Sequence, residues 1–212
     1  MNKIAVIPAR AGSKRLPKKN YKSFNSRTLV EIARDKCLAA GIFDKVIISS
    51  DDPFFEGLVN CNQVEFLKRS QNLAGNNATT DVIIDFFFKE IPSCDSILWV
   101  NSVSPLQSIE DIKNCGTRLS DPQIDCVMAI NTLYQHCCIG NKPLNFDLNK
   151  PFEKTQDLEP IQRYIYSCMG WKRKTYLEYR SRGFKGLFPG NMALVETSML
   201  AGMLIKYEED FI

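Results

Sequence analysis

Short apolar runs alternate with segments of helical periodicity along the first 130 residues, and this alternation limits the fold more than any other feature. Five apolar runs have the length and composition of buried strands: 4–7, 45–50, 64–67, 96–100 and 125–130. Between the first two, apolar residues follow helical spacing over 29–40, and Gly41 ends that segment. Strands that alternate with helices form parallel sheets. The sequence therefore predicts an α/β fold, a Rossmann-like, mostly parallel sheet flanked by helices.

Length and charge narrow the classes of protein that fit. A chain of 212 residues suits a single domain, here 1–212, with one sizeable core. A formal net charge of +3 is too small to indicate a nucleic-acid binder. Met1 leads directly into the first apolar run, and no run approaches the length of a membrane span. We therefore expect a cytoplasmic protein with no membrane partner, whose eight cysteines, none in a C-x-x-C pair, are reduced.

The loop after the first strand carries a dense cluster of positive charge. Its basic residues are Arg10, Lys14, Arg15, Lys18 and Lys19. Gly12 allows backbone amides to approach an anion closely, and Ser13 adds a hydroxyl donor. A solvated basic turn is the plainer alternative. Ligands of open α/β sheets, however, bind beyond the carboxyl ends of the strands, where this loop falls, and the cluster suits a polyphosphate.

The loop has neither of the common glycine-rich phosphate motifs, since Gly12 is its only glycine. It resembles the P-A-R-x-G-S-K-x-x-P-x-K-N loop of the cytidylyltransferases that activate acidic sugars, such as the CMP-sialic acid synthetases. The resemblance implies a fold of the nucleotide-diphospho-sugar transferase type. It also implies that the catalytic triphosphate clamp consists of Arg10, Lys14 and Lys19, and that the nucleotide contacts in this loop are Ala9, Arg10, Gly12, Ser13 and Asn20.

Further segments resemble motifs of the same family. Arg69 and the pair Thr79 and Thr80 match a motif that implies nucleotide contacts, although Asn76 stands where the motif has an aspartate. Asp51 and Asp52 lie in a segment similar to an S-T-D-D segment of the family. The alternative is that these carboxylates cap the N-terminus of a following helix.

The substrate-binding residues implied by the resemblance lie in two places. Asn101 and Ser104 follow the strand 96–100, where Asn101 replaces a glutamine of the family and Gln107 an arginine. Gln156 and Asp157 lie in a T-Q-D-L-x-P segment that the family carries on an arm reaching across a homodimer. Periodicity is lost after 131, so we expect an extended dimerisation arm over about 131–175.

The end of the chain departs from the family at two positions. Its last residues align with the family's D-I-D-T-E-E-D-F, so that Leu204 and Lys206 stand where two metal-binding aspartates are expected. Mg²⁺ is implied as cofactor by the resemblance, but the metal ligands of this chain are unknown. Lys206 either holds phosphate directly in place of a metal, or marks a chain that keeps the fold without efficient catalysis.

The resemblance implies transfer of CMP from CTP to an acidic eight- or nine-carbon sugar of the sialic, pseudaminic, legionaminic or Kdo type, with release of pyrophosphate. The expected partners are CTP, the sugar and a second copy of the chain. Two alternatives stay open. One is a nucleotide- or partner-binding homologue without catalysis, and the other is a nucleotidyltransferase that uses another base or sugar.

Overall fold

A seven-stranded sheet forms the centre of the molecule. The computed structural model describes residues 1–75 and 77–211, so Asn76 lies outside the described residues. The strands of the sheet are β1 (Lys3–Pro8), β2 (Lys45–Ser50), β3 (Val64–Lys68), β4 (Ser96–Val100), β5 (Cys126–Leu133), β6 (Ile161–Lys172) and β7 (Met192–Glu196). Their order is β7-β5-β6-β4-β1-β2-β3. All pairs are parallel except those of β6, which runs antiparallel to β4 and β5, and the predicted α/β fold is confirmed.

Helices cover both faces of the sheet. The longer ones are α1 (Leu29–Ala40), α2 (Thr80–Glu90), α3 (Ile109–Leu119) and α4 (Arg173–Ser181). Residues of α1 and α3, such as Val30 and Ile112, belong to one buried core, and residues of α2 and α4, such as Phe87 and Tyr176, belong to the core on the opposite face. No helix in 1–75 or 77–211 has both the length and the apolarity needed to cross a membrane.

Short elements complete the chain. Two-stranded hairpins form at Ser23–Phe24 with Arg27–Thr28, and at Cys138–Ile139 with Lys142–Pro143. The helix expected after Asp52 is a 3-10 helix, Pro53–Leu58, whose N-terminus Asp52 caps by accepting a hydrogen bond of 2.8 Å from the Phe54 amide. The capping interpretation is therefore correct for Asp52.

The segment that leaves the central sheet is shorter than the arm predicted from the sequence. β5 continues to Leu133, and 161–172 forms β6 inside the central sheet, so only 134–160 leaves the sheet. Strand β6 lacks an alternating pattern for two reasons. Residues 167–171 are buried consecutively because both faces of the sheet are covered, and the register shifts between Tyr164 and Met169. The expectation of an arm over 161–175 was wrong for this physical reason.

Candidate functional site

A cleft of about 820 Å³ opens at the carboxyl ends of β1 and β4. Its walls come from the loops that follow β1, β3 and β4, from Tyr166 on β6, and from 204–206. The polar residues that line it are Arg10, Ser13, Lys14, Arg15, Lys19, Asn20, Arg69, Thr80, Asn101, Ser102, Tyr166 and Lys206. Among the described lining residues there are six Arg or Lys and no carboxylate, so the cleft is built for an anion.

Hydrogen bonds to neighbouring loops fix the basic loop in shape. The Ala11 amide donates to Asp51 Oδ1 at 2.9 Å, so this carboxylate supports the loop. Asn20 is buried, and its Nδ2 donates to the Arg10 carbonyl at 3.0 Å while its Oδ1 accepts from the Ser102 hydroxyl at 2.9 Å. Asn20 thus joins the loops after β1 and β4, and its predicted contact with a nucleotide stays a prediction.

Arg69 places a buried guanidinium in the wall of the cleft. The residue is only 3% exposed, and its Nε has no hydrogen-bond partner within the described part of the chain. Burial, the largest cause, and the nearby charge of Arg10 lower the pKa of Arg69 to about 10, although Asp51 opposes them. A buried donor without a partner is costly, typically about 1–3 kcal/mol, and the buried positive charge of Arg69 favours an anion in the cleft.

Trp99 contributes a second unused donor. The side chain lines the cleft at the end of β4, and its buried Nε1 also lacks a partner in the residues that the structure describes. The sequence analysis missed Trp99, because an aromatic residue within an apolar run is typical of a buried core position.

Tyr166 on β6 was also missed by the sequence analysis. Its φ of 56° is rare for a non-glycine residue, and it lies where the register of β6 shifts, between Tyr164 and Met169. No sequence pattern predicts such a backbone conformation.

Lys19 is the lysine most affected by the cluster of charges. Its Nζ donates to the Ile205 carbonyl at 3.0 Å, which ties the basic loop to the segment 204–206. Burial, followed by the positive charges of Arg15 and Arg10, lowers the pKa of Lys19 to about 8. Lys19 is therefore protonated at neutral pH but loses its proton in mildly alkaline solution unless a bound anion raises the pKa again.

We expect the affinity for inorganic tripolyphosphate to fall by up to about tenfold between pH 7 and pH 9, the limit for the loss of one charge with a pKa of about 8. The sign follows from the lowered pKa: Lys19 is charged below about pH 8 and attracts the anion, whereas above it the charge is lost. Calorimetric titration at several pH values measures the effect. Lys19→Arg keeps its charge over this range, so its affinity should fall much less. Parallel curves for both proteins would show that another group titrates.

The segment 204–206 lines the cleft beside the basic loop. Ile205 is buried against Leu16 and Leu29, and its amide donates to the Val103 carbonyl at 2.8 Å. This anchoring leaves its neighbours, Leu204 and Lys206, lining the cleft.

The donor set of the cleft does not fit a protein-bound Mg²⁺. Leu204 offers no ligand atom, and Lys206 offers a cation, whereas Mg²⁺ prefers carboxylate and other oxygen ligands. Asp51 and Asp210 each accept backbone hydrogen bonds on one carboxylate oxygen, and neither is among the residues that line this cleft. Over residues 1–75 and 77–211, no group of three or more His, Cys, Asp or Glu side chains is placed to hold a metal.

Most of the predicted site residues come together, and some do not. Eight of the predicted residues line the cleft: Arg10, Ser13, Lys14, Lys19, Asn20, Arg69, Thr80 and Asn101. Gly12 lies in an adjoining cavity of about 370 Å³ that also includes Asp51. Ala9 is buried beneath the loop, and Thr79 is exposed at the N-terminus of α2, outside the lining residues.

The predicted substrate-binding residues are mostly outside this cleft. Ser104 is buried, and its hydroxyl donates to the Ala201 carbonyl at 2.6 Å, so it fastens the chain beyond β7 instead. The predicted substrate contact of Ser104 stays a prediction. Gln156 and Asp157 lie exposed in a short 3-10 helix, Thr155–Asp157, on the segment that leaves the sheet. They are not among the residues that line the cleft of their own chain, and any role in a partner's cleft stays a prediction.

Together, the mostly parallel sheet and the cationic cleft at its carboxyl edge define an α/β protein built to bind a polyanion. A profile of one family, described as cytidylyltransferase, matches residues 4–178, and the chain therefore belongs to this family.

The individual similarities agree with this assignment. N-acylneuraminate cytidylyltransferase of Streptococcus agalactiae is 24% identical over 190 residues, which cover 85% of this chain and 46% of the relative. The chain thus spans about half the length of that relative. Pseudaminic acid cytidylyltransferase of Campylobacter jejuni is 34% identical over 134 residues, 61% of this chain and 58% of the relative.

A solved structure supports the fold alone. The structure of 4-diphosphocytidyl-2C-methyl-D-erythritol synthase from Anaerococcus prevotii superposes with a TM-score of 0.68 at 14% identity, covering 99% of this chain and 94% of that one.

Proposed function

We propose that the protein transfers CMP from CTP to an acidic eight- or nine-carbon sugar and releases pyrophosphate. The observation that carries the proposal is the convergence of Arg10, Lys14, Lys19 and Arg69 on one cleft that no described carboxylate lines. Family membership supports the choice of CTP as the anion. The names of the relatives, which specify N-acylneuraminate and pseudaminic acid, support a sialic or pseudaminic type of sugar.

In the proposed reaction, a sugar hydroxyl attacks the α-phosphorus of CTP and gives up its proton to solvent water. The bond from that phosphorus to the bridging oxygen breaks, and pyrophosphate leaves with the electron pair. Charge develops on the phosphoryl oxygens, so fixed cations accelerate the reaction mainly by positioning and electrostatic stabilisation. Arg10, Lys14 and Lys19 would supply these charges, and the guanidinium of Arg69 would add a further positive charge in the wall of the cleft.

The proposal includes a homodimer and a cytoplasmic location. Gln156 and Asp157 lie on an exposed segment and do not line their own cleft, a placement that suits contact with a second copy. Exposed apolar side chains on the same segment, such as Leu148 and Phe152, would be covered there. CTP is made in the cytoplasm, which is why we propose the enzyme acts there.

A second function, nucleotide binding without turnover, is favoured by one specific observation. Leu204 and Lys206 line the cleft at positions where the family motif has aspartates. A chain that has lost these carboxylates could keep the nucleotide pocket as a regulatory or partner-binding device. Binding assays alone do not separate the two functions, so the test must also measure turnover.

We expect CTP to bind in calorimetric titration at least about tenfold more tightly than UTP, ATP or GTP. Incubation with CTP and N-acetylneuraminic, pseudaminic, legionaminic or Kdo-type sugars should then release pyrophosphate with one of them. CTP binding without pyrophosphate release from any sugar would favour the second function. Equal binding of all four nucleotides would contradict the proposed base specificity, and absence of binding would contradict both functions.

A further inference from the structure

We infer that Lys206, together with Lys19, neutralises the triphosphate in place of a carboxylate-bound metal, so that the protein binds the nucleotide in its metal-free form. The inference rests on the proposed function, because it concerns how CTP is held in the same cleft. It takes the first of the two interpretations of Lys206 and gives it a structural basis and a test.

The first step is the position of Lys206, which the fold holds in place from several sides. Ile205 donates its amide hydrogen to Val103 and accepts from Lys19 Nζ through its carbonyl. The Lys206 and Tyr207 amides both donate to the Asp210 carboxylate, at 2.5 and 2.8 Å. Lys206 therefore starts from a fixed backbone, and only its side chain must adjust to reach an anion.

Further contacts hold the same segment against the basic loop. Lys22 forms an ion pair of 2.6 Å with Glu208, and its Nζ lies 5.7 Å from the centre of the Phe211 ring. The Arg15 guanidinium lies 6.0 Å from the centre of the Tyr207 ring. The residues after 206 are thus attached to the loop that carries the predicted clamp, which brings Lys206 and the clamp to one cleft.

The second step is the balance of charge. The described lining of the cleft contains Arg10, Lys14, Arg15, Lys19, Arg69 and Lys206 and no acidic side chain. Mg²⁺ cancels about half of the charge of a triphosphate, so its complex is attracted less strongly to such a cleft than the free nucleotide. A dication in the cleft would also be repelled by the side chains that surround it.

The third step concerns Leu204 and Lys206, which stand where the family motif has two aspartates. Two aspartates at 204 and 206 would add negative charge beside the phosphates and would need a metal to offset it. Leucine and lysine at these positions remove that charge and add an ammonium, which binds phosphate directly. The pair of differences is therefore consistent with retained nucleotide binding through a different set of charges.

The test is calorimetric binding of CTP to the full chain, in excess EDTA and in excess Mg²⁺. We expect the affinity in EDTA to equal or exceed that in Mg²⁺. Lys206→Ala should weaken binding in EDTA roughly ten- to a hundredfold, the range for loss of one charge-assisted bond. Lys113→Ala, which removes an exposed lysine of α3 outside the cleft, is the matched control and should bind as the wild type does.

A gain-of-dependence variant gives a second readout. Leu204→Asp with Lys206→Asp should bind CTP poorly in EDTA and better when Mg²⁺ is added, and an unchanged melting temperature would show that the variant is folded. If wild-type protein binds CTP only with Mg²⁺, or Lys206→Ala binds normally in EDTA, the inference is overturned while the proposed function stands. If CTP binds in neither condition, both fail.

Discussion

Replacing Arg10 by alanine should weaken the binding of CTP by about a hundredfold or more and leave the melting temperature nearly unchanged. Arg10 lines the cleft beside Lys14 and Arg69, and a guanidinium can make two charge-assisted bonds to phosphate, each worth about 1.5–3 kcal/mol. In the protein its Nη1 donates to the Ala74 carbonyl at the long distance of 3.5 Å, and the side chain is half-buried. Calorimetry and thermal unfolding measure the two effects separately.

Arg118→Ala is the matched control for this variant. Arg118 is exposed on α3, where it pairs with Asp121 at 2.5 Å, and it lies outside the cleft. Its removal deletes the same charge but should leave the affinity for CTP unchanged. Binding by Arg10→Ala with wild-type affinity would remove Arg10 from the triphosphate clamp, and a large loss of stability would mean that its role is structural.

Replacing Trp171 by alanine should lower the free energy of unfolding by about 3–5 kcal/mol, the range for truncating a large buried aromatic side chain. Trp171 is fully buried in β6, between β4 and β5, and its Nε1 donates to the Leu187 carbonyl at 2.9 Å. In a domain of this size the loss corresponds to a fall in melting temperature of roughly 10 °C. Denaturant titration followed by circular dichroism measures it.

The chain offers a matched control in its other tryptophan. Trp99 lies at the end of β4, is partly exposed in the cleft, and makes no hydrogen bond through Nε1 in the described structure. Trp99→Ala should therefore cost less than half as much stability as Trp171→Ala, while it changes the cleft. Similar losses for the two variants would mean that Trp99 contributes as much to the core as Trp171 does, despite its partial exposure.

The parts of the fold that could be predicted are those whose information is local. β1, β2 and β4 are compact apolar runs, and α1 carries both its helical period and a capping box between Thr28 and Glu31. Strand β6 could not be predicted from a local pattern. Its N-terminal half is mostly exposed, its register shifts, and the rest is buried on both faces, so no period of two survives.

In the candidate site, too, the residues of a continuous motif could be predicted, whereas those that depend on distant parts of the chain could not. The basic loop is one continuous motif, and its residues remain neighbours after folding. The hydrogen bond of Ser104 could not be predicted, because its partner, Ala201, lies 97 residues further along the chain. Tyr166 depends on an irregular backbone that forms only within the assembled sheet. Distant partners and strained conformations leave little trace in a single sequence.

The cleft walls come from distant parts of the chain, and this has a consequence for synthesis. The basic loop emerges early, the loops after β3 and β4 follow, and the wall of 204–206 arrives much later. Contacts between such distant segments form slowly, because long loops must close first. We therefore expect nascent chains that stop before β7 to lack the cleft, and nucleotide binding to report the last step of folding on the ribosome.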